Sequence, residues 1–117
     1  MPALWIMIAG PYGSGATTPA QRAANLRALN DMAVQVLAAG HVPVIGVNMA
    51  LPVIEADGAP DAHDRIMMPL SLALADRCDA CLRVGGPSVG ADQEMERFRN
   101  AGKPVYHAIQ AIPPTTV

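Results

Sequence analysis

Four short apolar runs are spread along the chain, separated by stretches whose patterns suit helices and turns. Residues 4–9 are apolar at every position and end at Gly10-Pro11, which indicates a strand buried on both faces of a parallel sheet. Three more strands are predicted at residues 42–47, 80–84 and 104–109. The first of these three contains Pro43 close to its start.

Three helices are predicted between the strands. Thr18 supplies an N-cap and Pro19 suits the first helical position, so the first helix begins there. It runs to residue 39 and is stopped by Gly40. Apolar residues spaced three and four apart form its inward stripe, which consists of Leu26, Leu29, Ala33 and Val36.

The other two predicted helices flank the third strand. Asp61 is expected to cap a helix that reaches about Cys78, and Pro69 inside it is expected to kink it or split it in two. The third helix covers residues 90–101 and ends at Gly102. Residues 48–60 are predicted to be irregular, with room for one helical turn, and the tail at residues 113–117 is predicted to be loose.

This alternation of strands and helices predicts a three-layer α/β fold: a doubly wound parallel sheet of four to five strands, flavodoxin-like or Rossmann-like. Residues 1–117 are treated as a single domain, because no repeat or linker interrupts a chain of this length. Ligands of such sheets bind beyond the carboxyl ends of the strands, where the strand order reverses. Three loops, at residues 10–18, 48–57 and 85–90, are predicted to reach that edge.

The composition excludes several classes of protein. Hydrophobic residues make up 51% and charged residues 15% of the chain, unlike a disordered protein. Eight basic residues against ten acidic ones, with no basic cluster, give no footprint for nucleic acid. No apolar run reaches the ~18 residues of a membrane span, and no basic region typical of a signal peptide is present. We therefore expect a cytoplasmic protein with no nucleic-acid or membrane partner.

The two cysteines are interpreted as reduced thiols of the core. Cys78 and Cys81 close a helix and enter a strand, whereas a thioredoxin-like redox pair follows a strand and opens a helix. A zinc site would need a second pair of ligands, which the chain does not supply. Tyr12 alone is a poor clamp for a flavin ring. We expect neither a metal nor a cofactor.

Two glycine-rich loops carry most of the candidate binding residues. The loop at residues 10–15 joins a strand to a helix, where backbone amides can bind a phosphate, but it is not a P-loop. Its candidates are Gly10, Pro11, Tyr12 and Gly13, and Tyr12 can stack on a ring. The other interpretation of this loop is a tight turn with no ligand.

The second loop contributes Gly86, Ser88 and Gly90 as candidates. Ser88 is placed to cap the third helix and to hydrogen-bond an anion there, and capping alone is the other interpretation. Asn48, in the predicted middle loop, completes the set of candidate ligand contacts.

Helical periodicity identifies the candidate catalytic residue. At ~100° per residue, one arc of the third helix is apolar and the opposite arc faces water; the apolar arc consists of Ala91, Met95, Phe98 and Ala101. Glu94 falls inside that arc, in what is predicted to be the first turn. A buried carboxylate costs several kcal/mol unless it is paired or neutralised, which favours a functional role. The structural interpretation is a capping contact or an ion pair with an arginine such as Arg83.

Four segments of the sequence carry a family resemblance. They are Ile8-Ala9-Gly10-Pro11-Tyr12, Cys78-Asp79, Pro87-Ser88-Val89-Gly90-Ala91-Asp92-Gln93-Glu94 and Gly102-Lys103-Pro104-Val105. Together they resemble the nucleoside 2-deoxyribosyltransferase-like superfamily over nearly the whole chain. The segment ending at Glu94 is similar to that of the 2'-deoxynucleoside 5'-monophosphate N-glycosidases.

The resemblance implies a reaction and a substrate. Glu94 would be the nucleophile that attacks C1' of a (deoxy)ribose and displaces the base, leaving a covalent glycosyl-enzyme. Ser88 stands where the deoxyribosyltransferases carry an aspartate, and it matches the branch in which a serine contacts the 5'-phosphate. The implied partner is a small nucleotide or nucleoside, handled by hydrolysis or transfer. A non-catalytic nucleotide or nucleotide-sugar sensor is the alternative.

The resemblance also implies a homodimer or higher homo-oligomer, with Met67 and Met68 as candidates for the interface. The chain departs from the family pattern at one position. A second aspartate is expected near Ser71, where no neighbour is acidic, so the residue that protonates the leaving base is not identified. Of the histidines, His63 is expected at the surface, His41 is interpreted as structural, and His107 is expected to pack in the last strand or to be partly exposed.

Overall fold

The computed structural model describes residues 2–115 and contains a four-stranded sheet that is parallel throughout. Its strands are β1 (Trp5–Ala9), β2 (Val42–Val44), β3 (Ala80–Arg83) and β4 (Val105–Tyr106). They lie in the order β2-β1-β3-β4, so the chain steps to one side of β1 and then crosses to the other. The predicted α/β fold and the strand count are confirmed.

The described residues also form four α-helices: α1 (Pro19–Ala38), α2 (Gly46–Asp57), α3 (Ala62–Arg77) and α4 (Val89–Asn100). Of these, α1, α3 and α4 pack against the strands, and α2 packs along α3. Alternate residues of β1 face opposite layers, since side chains of a strand alternate across the sheet. Ile6 and Ile8 join the core beneath α1, while Met7 and Ala9 join the core beneath α3 and α4. A short 3-10 helix follows β4 at Ile109–Ala111.

The first helix forms as its sequence predicts. Thr18 accepts a hydrogen bond from the backbone N–H of Gln21 at 3.1 Å, and the Gln21 side chain accepts one from the N–H of Thr18 at 3.2 Å. This reciprocal capping box satisfies two of the free amides at the helix start. Leu29 and Val36 are buried against the sheet. Gly40 follows the helix with a φ of +89°, a conformation that favours glycine.

The largest difference from the sequence prediction is α2. Residues 46–57 form a regular helix rather than an irregular loop, so the predicted middle loop at residues 48–57 is wrong. No side chain caps this helix at Ile45, and Pro52 lies inside it. It is held by packing along α3 and ends at Gly58, which has a φ of +72°. Contacts with α3 therefore outweigh the weak helix propensity of residues 46–57.

The remaining elements differ from prediction in their bounds. Pro69 lies inside α3, which continues to Arg77 and is not split. Because α4 begins at Val89, Glu94 lies in its second turn rather than its first, and Ala101 is exposed beyond its end. The second, third and fourth strands each end earlier than predicted, at Val44, Arg83 and Tyr106.

The tail is anchored as far as it is described. His41 is buried, and its Nε2 lies 2.8 Å from the carbonyl oxygen of Pro113. Its Nδ1 accepts a hydrogen bond from the backbone N–H of Leu4 at 3.0 Å, so Nε2 carries the proton. The prediction of a loose tail is therefore wrong at Pro113, and Thr115 also lies against the body of the protein, 1.9 Å from a Cβ added at Gly40; residues 116–117 lie outside the described part. The structural interpretation of His41 is confirmed.

The cysteines are placed as expected, whereas His107 does not lie in the last strand. Cys78 and Cys81 are buried free thiols, and burial raises the pKa of Cys78 to about 11 and that of Cys81 to about 12. His107 is exposed just after β4. No helix within residues 2–115 is long and apolar enough to cross a membrane.

Candidate functional site

A cleft of about 260 Å³ opens beside the carboxyl ends of β1 and β3, where the strand order reverses. This is the position at which doubly wound sheets bind ligands. Its walls come from the loop after β1, from α1, α2 and α3, and from the first two turns of α4. The lining residues are Gly10, Tyr12, Gly13, Ser14, Arg22, Val47, His63, Met67, Met68, Ser71, Ser88, Gly90, Ala91 and Glu94.

The structure brings most of the predicted site residues together. Six of the nine line the cleft: Gly10, Tyr12, Gly13, Ser88, Gly90 and Glu94. Pro11 does not; it packs against Gly85, where an added Cβ would lie 2.7 Å from the Pro11 ring. Asn48 donates a hydrogen bond to the side-chain oxygen of Asn30 at 2.6 Å, outside the cleft. Gly86 lies outside it too, and its carbonyl accepts a hydrogen bond from Arg83 at 2.9 Å.

Several lining residues were not singled out as ligand contacts from the sequence. Ser14 lies within the first loop but was not chosen as a ligand contact, and Arg22 lies on α1, which follows that loop. On α3, positions 63, 67 and 71 recur every four residues, which puts them on one helix face. That spacing was visible in the sequence, but which layer this face meets depends on the placement of α2. Met67 and Met68, predicted as interface residues, line the cleft within this chain.

Glu94 lies at the inner end of the cleft with 8% of its surface exposed. The hydroxyl of Ser71 on α3 hydrogen-bonds to the carboxylate. Gly46, the first residue of α2, also lies against it, because a Cβ added to Gly46 would be 3.3 Å from Glu94 Oε2. The carboxylate is therefore enclosed by three helices, and one of them presents its N-terminal end.

Burial dominates the electrostatics of this carboxylate. It raises the pKa of Glu94 from 4.5 to about 7, against the opposing effects of the nearby Arg83 charge and the Ser71 hydrogen bond. The start of α2 also favours the ionised form, because helix N-termini attract negative charge.

Of the two structural interpretations of Glu94, a capping contact or an ion pair with Arg83, the ion pair is absent from the described residues. Arg83 Nε instead donates to Asp92 Oδ1 at 3.1 Å, and its guanidinium also donates to the carbonyls of Val84 and Gly86. These contacts fasten the loop between β3 and α4. Among residues 2–115, the ion pairs within 4.0 Å do not include Glu94.

Two serines meet at the start of α4. Ser88 Oγ accepts hydrogen bonds from the backbone N–H of Ala91 and from the hydroxyl of Ser14, both at 3.1 Å. The predicted cap is confirmed. Since a hydroxyl has two acceptor positions and one donor, both acceptor positions of Ser88 are used and its proton is left to donate to a third group. The first glycine-rich loop, at residues 10–15, is held by Asn25, whose side-chain amide donates to the carbonyl of Tyr12 at 2.7 Å.

The described residues contain no group of three or more His, Cys, Asp or Glu side chains placed to hold a metal ion. No family model matches this sequence, and no curated protein matches it.

Proposed function

We propose that this protein cleaves or transfers at the N-glycosidic bond of a (deoxy)nucleoside 5'-monophosphate, with Glu94 as the nucleophile. One observation carries the proposal. A nearly buried carboxylate, outside any ion pair of residues 2–115, ends a cleft at the point where the strand order reverses. Keeping such a group in the core lowers stability, so a role in chemistry accounts for its position better than a structural one.

A carboxylate in this place suits glycosyl transfer. The bond between C1' and the base breaks through an oxocarbenium-like state, whose positive charge a carboxylate stabilises and can trap covalently. The pKa of Glu94 at about 7 leaves a large share of the group ionised at neutral pH. The Ser71 hydrogen bond holds the carboxylate in one orientation for attack.

The features that would hold a 5'-phosphate lie along the same cleft. Ser88 can donate its hydroxyl proton, and the first amides of α4, before the one that Ser88 caps at Ala91, are further donors, since such helix starts bind anions readily. Arg22, from the second turn of α1, supplies the positive charge that a phosphate favours. A carboxylate at residue 88 would repel a phosphate, whereas a serine does not.

The remaining wall suits a flat ring. Tyr12, Met67 and Met68 line the cleft, and aromatic and thioether side chains pack well against a nucleobase. The sequence resemblance to monophosphate N-glycosidases points the same way. Assembly as a homodimer or larger oligomer and a cytoplasmic location stay predictions of the sequence.

The test is release of free base. Purified protein is incubated with a panel of nucleosides and their 5'-monophosphates, and the products are separated by chromatography. We expect base from at least one monophosphate, faster than from its parent nucleoside. Glu94→Gln should lower the rate by roughly 10⁴-fold or more, while Glu96→Gln, which changes an exposed carboxylate on the same helix, should leave it unchanged.

A second variant tests the substrate class. Ser88→Ala removes a hydroxyl at the proposed phosphate position, so it should raise KM for the monophosphate and leave cleavage of the nucleoside nearly unchanged. Equal effects on both substrates would contradict the phosphate assignment.

One observation favours a non-catalytic nucleotide sensor as a second candidate: among the described lining residues, Glu94 is the single carboxylate. A sensor would release no base from any panel member and would be thermally stabilised by a nucleotide. That pair of results would replace the enzyme proposal.

A further inference from the structure

The cleft has a second titratable side chain, His63 on α3, at the opposite end from Glu94. His63, Met67 and Ser71 lie on one face of that helix and line the cleft together. Ser71, 2% exposed, contacts Glu94 at the inner end. The side chain of His63 is 63% exposed, which places it at the mouth. Eight residues of helix separate the two positions by about 12 Å along the axis, so the methionines lie between an imidazole and a carboxylate.

Few groups in the cleft can donate a proton near neutral pH. The titratable side chains among its described lining residues are Tyr12, Arg22, His63 and Glu94. On its own helix, His63 has Asp64 beside it, with 3.8 Å between Nδ1 and Oδ1. An arginine does not give up its proton in proteins, and a phenol does so only at high pH. Imidazole exchanges protons in the physiological range.

We infer that His63 protonates the nucleobase as it leaves, which rests on the proposed function of Glu94. The base would lie over Met67, between the sugar held at Glu94 and the ring of His63. His63 would then fill the role of proton donor, for which the cleft has no second carboxylate among its described lining residues. It also explains why the imidazole lies at the mouth, since the base is the part of the substrate that must depart.

The proposed step is balanced in atoms and electrons. A carboxylate oxygen of Glu94 bonds to C1' while the bond from C1' to the base nitrogen breaks, and its electron pair stays on the base. The base takes a proton from the His63 imidazolium and leaves neutral. A water molecule then attacks C1' from the vacated side and gives a proton to His63. The bond from C1' to Glu94 breaks, and the carboxylate and imidazolium are both restored.

Two substrates with different leaving groups test this inference. One is a 5'-monophosphate that the protein cleaves, and the other is 4-nitrophenyl 2-deoxyriboside 5'-phosphate, whose leaving group departs as a stable anion and needs no proton. His63→Gln should lower base release by roughly 10²–10⁴-fold, the usual contribution of a proton donor. In the first turnover, release of nitrophenolate should change less than about threefold, because forming the bond to Glu94 from this substrate does not use the donor. His107→Gln, which alters an exposed imidazole away from the cleft, should change neither rate.

Each other outcome overturns the inference in a recognisable way. Equal first-turnover losses on both substrates would show a structural role for His63, and no loss on either would show no role in forming the bond to Glu94. A selective loss of base release in Tyr12→Phe, with His63→Gln unaffected, would assign the proton to Tyr12. If wild-type protein releases neither base nor nitrophenolate, the proposed function itself fails; if it releases both, a failure concerns His63 alone.

Discussion

Glu94 is a carboxylic acid held where its ionised form is costly. It is 8% exposed, and burial raises its pKa to about 7 even though Arg83 and Ser71 favour the anion. A protein gains nothing in stability from such a group at neutral pH. In the proposed reaction, the same enclosure would strengthen the interaction between the carboxylate and the positive charge that develops at C1'.

This raised pKa predicts how stability depends on pH. Glu94 has a pKa of 4.5 in the unfolded chain and of about 7 in the folded protein, so the folded state binds more protons between these pH values. Glu94 therefore lowers the free energy of unfolding as pH rises from about 4.5 through 7, by on the order of 3 kcal/mol. Glu94→Gln removes this effect, and its stability relative to wild type should increase across that window.

Urea denaturation at about pH 4 and pH 8 measures the change. Wild type and Glu94→Gln should unfold with similar free energies at the lower pH, and the variant should be more stable at the higher one. Glu96→Gln is the matched control, because Glu96 is exposed and should show no such difference. A Glu94→Gln variant that is less stable at pH 8 would mean that the carboxylate is held by favourable contacts.

Single residues were predictable where their own helix determined them. The apolar arc of α4 was enough to turn Glu94 inward, and the cap at Ser88 followed from the strand-to-helix position. Arg22 and His63 were not predicted as cleft residues, because both are polar residues near helix starts, the normal place for solvated side chains. They come to line the same cleft only because α1 and α3 pack around it.

At the scale of the elements, α2 completes the site. It is also the helix that was hardest to predict from the amino-acid sequence. Its sequence has no polar cap and contains Pro52, which lowers helix propensity. Packing along α3 compensates, and the helix start then lies against Ser71 and Glu94. A glycine is needed at that start, since a Cβ on Gly46 would come within 2.1 Å of the Ser71 hydroxyl.

We predict that Gly46→Ala disturbs the site more than the fold. The added methyl group must displace Ser71 or the start of α2, at a cost of roughly 1–3 kcal/mol. The carboxylate would lose its orienting hydroxyl, and base release should fall by roughly 10²-fold. Gly86→Ala is the control, because an added Cβ there meets no atom within 4 Å. Equal activity of the two variants, measured on the same substrate, would contradict the close packing around Ser71.

At the scale of the whole molecule, His41 joins two distant parts of the chain. It accepts from Leu4, just before β1, and donates to Pro113, beyond β4. The strand alternation was enough to predict the parallel sheet and the edge that carries the cleft. The anchored tail was not predictable, because a short segment rich in proline shows no periodicity and its hydrogen bond depends on a residue more than 70 positions away.

Loss of this link should lower global stability. His41→Ala leaves the N–H of Leu4 and the carbonyl of Pro113 without a protein partner and opens a cavity, at a cost of about 2–4 kcal/mol. Urea unfolding measures it, with His107→Ala as the exposed control that should change little. An unchanged unfolding midpoint for His41→Ala would show that the tail contributes nothing to the fold.

Trapping the proposed covalent bond between the sugar and Glu94 is the most direct test of the proposed function. A 2'-fluoro analogue of a cleaved monophosphate slows breakdown of the glycosyl-enzyme, because fluorine destabilises the oxocarbenium-like state. If Glu94 is the nucleophile, the protein should release one equivalent of base and then stop. Mass spectrometry should find the sugar phosphate on the peptide that contains Glu94. Continued release of base without an adduct, or an adduct on a different residue, would contradict it.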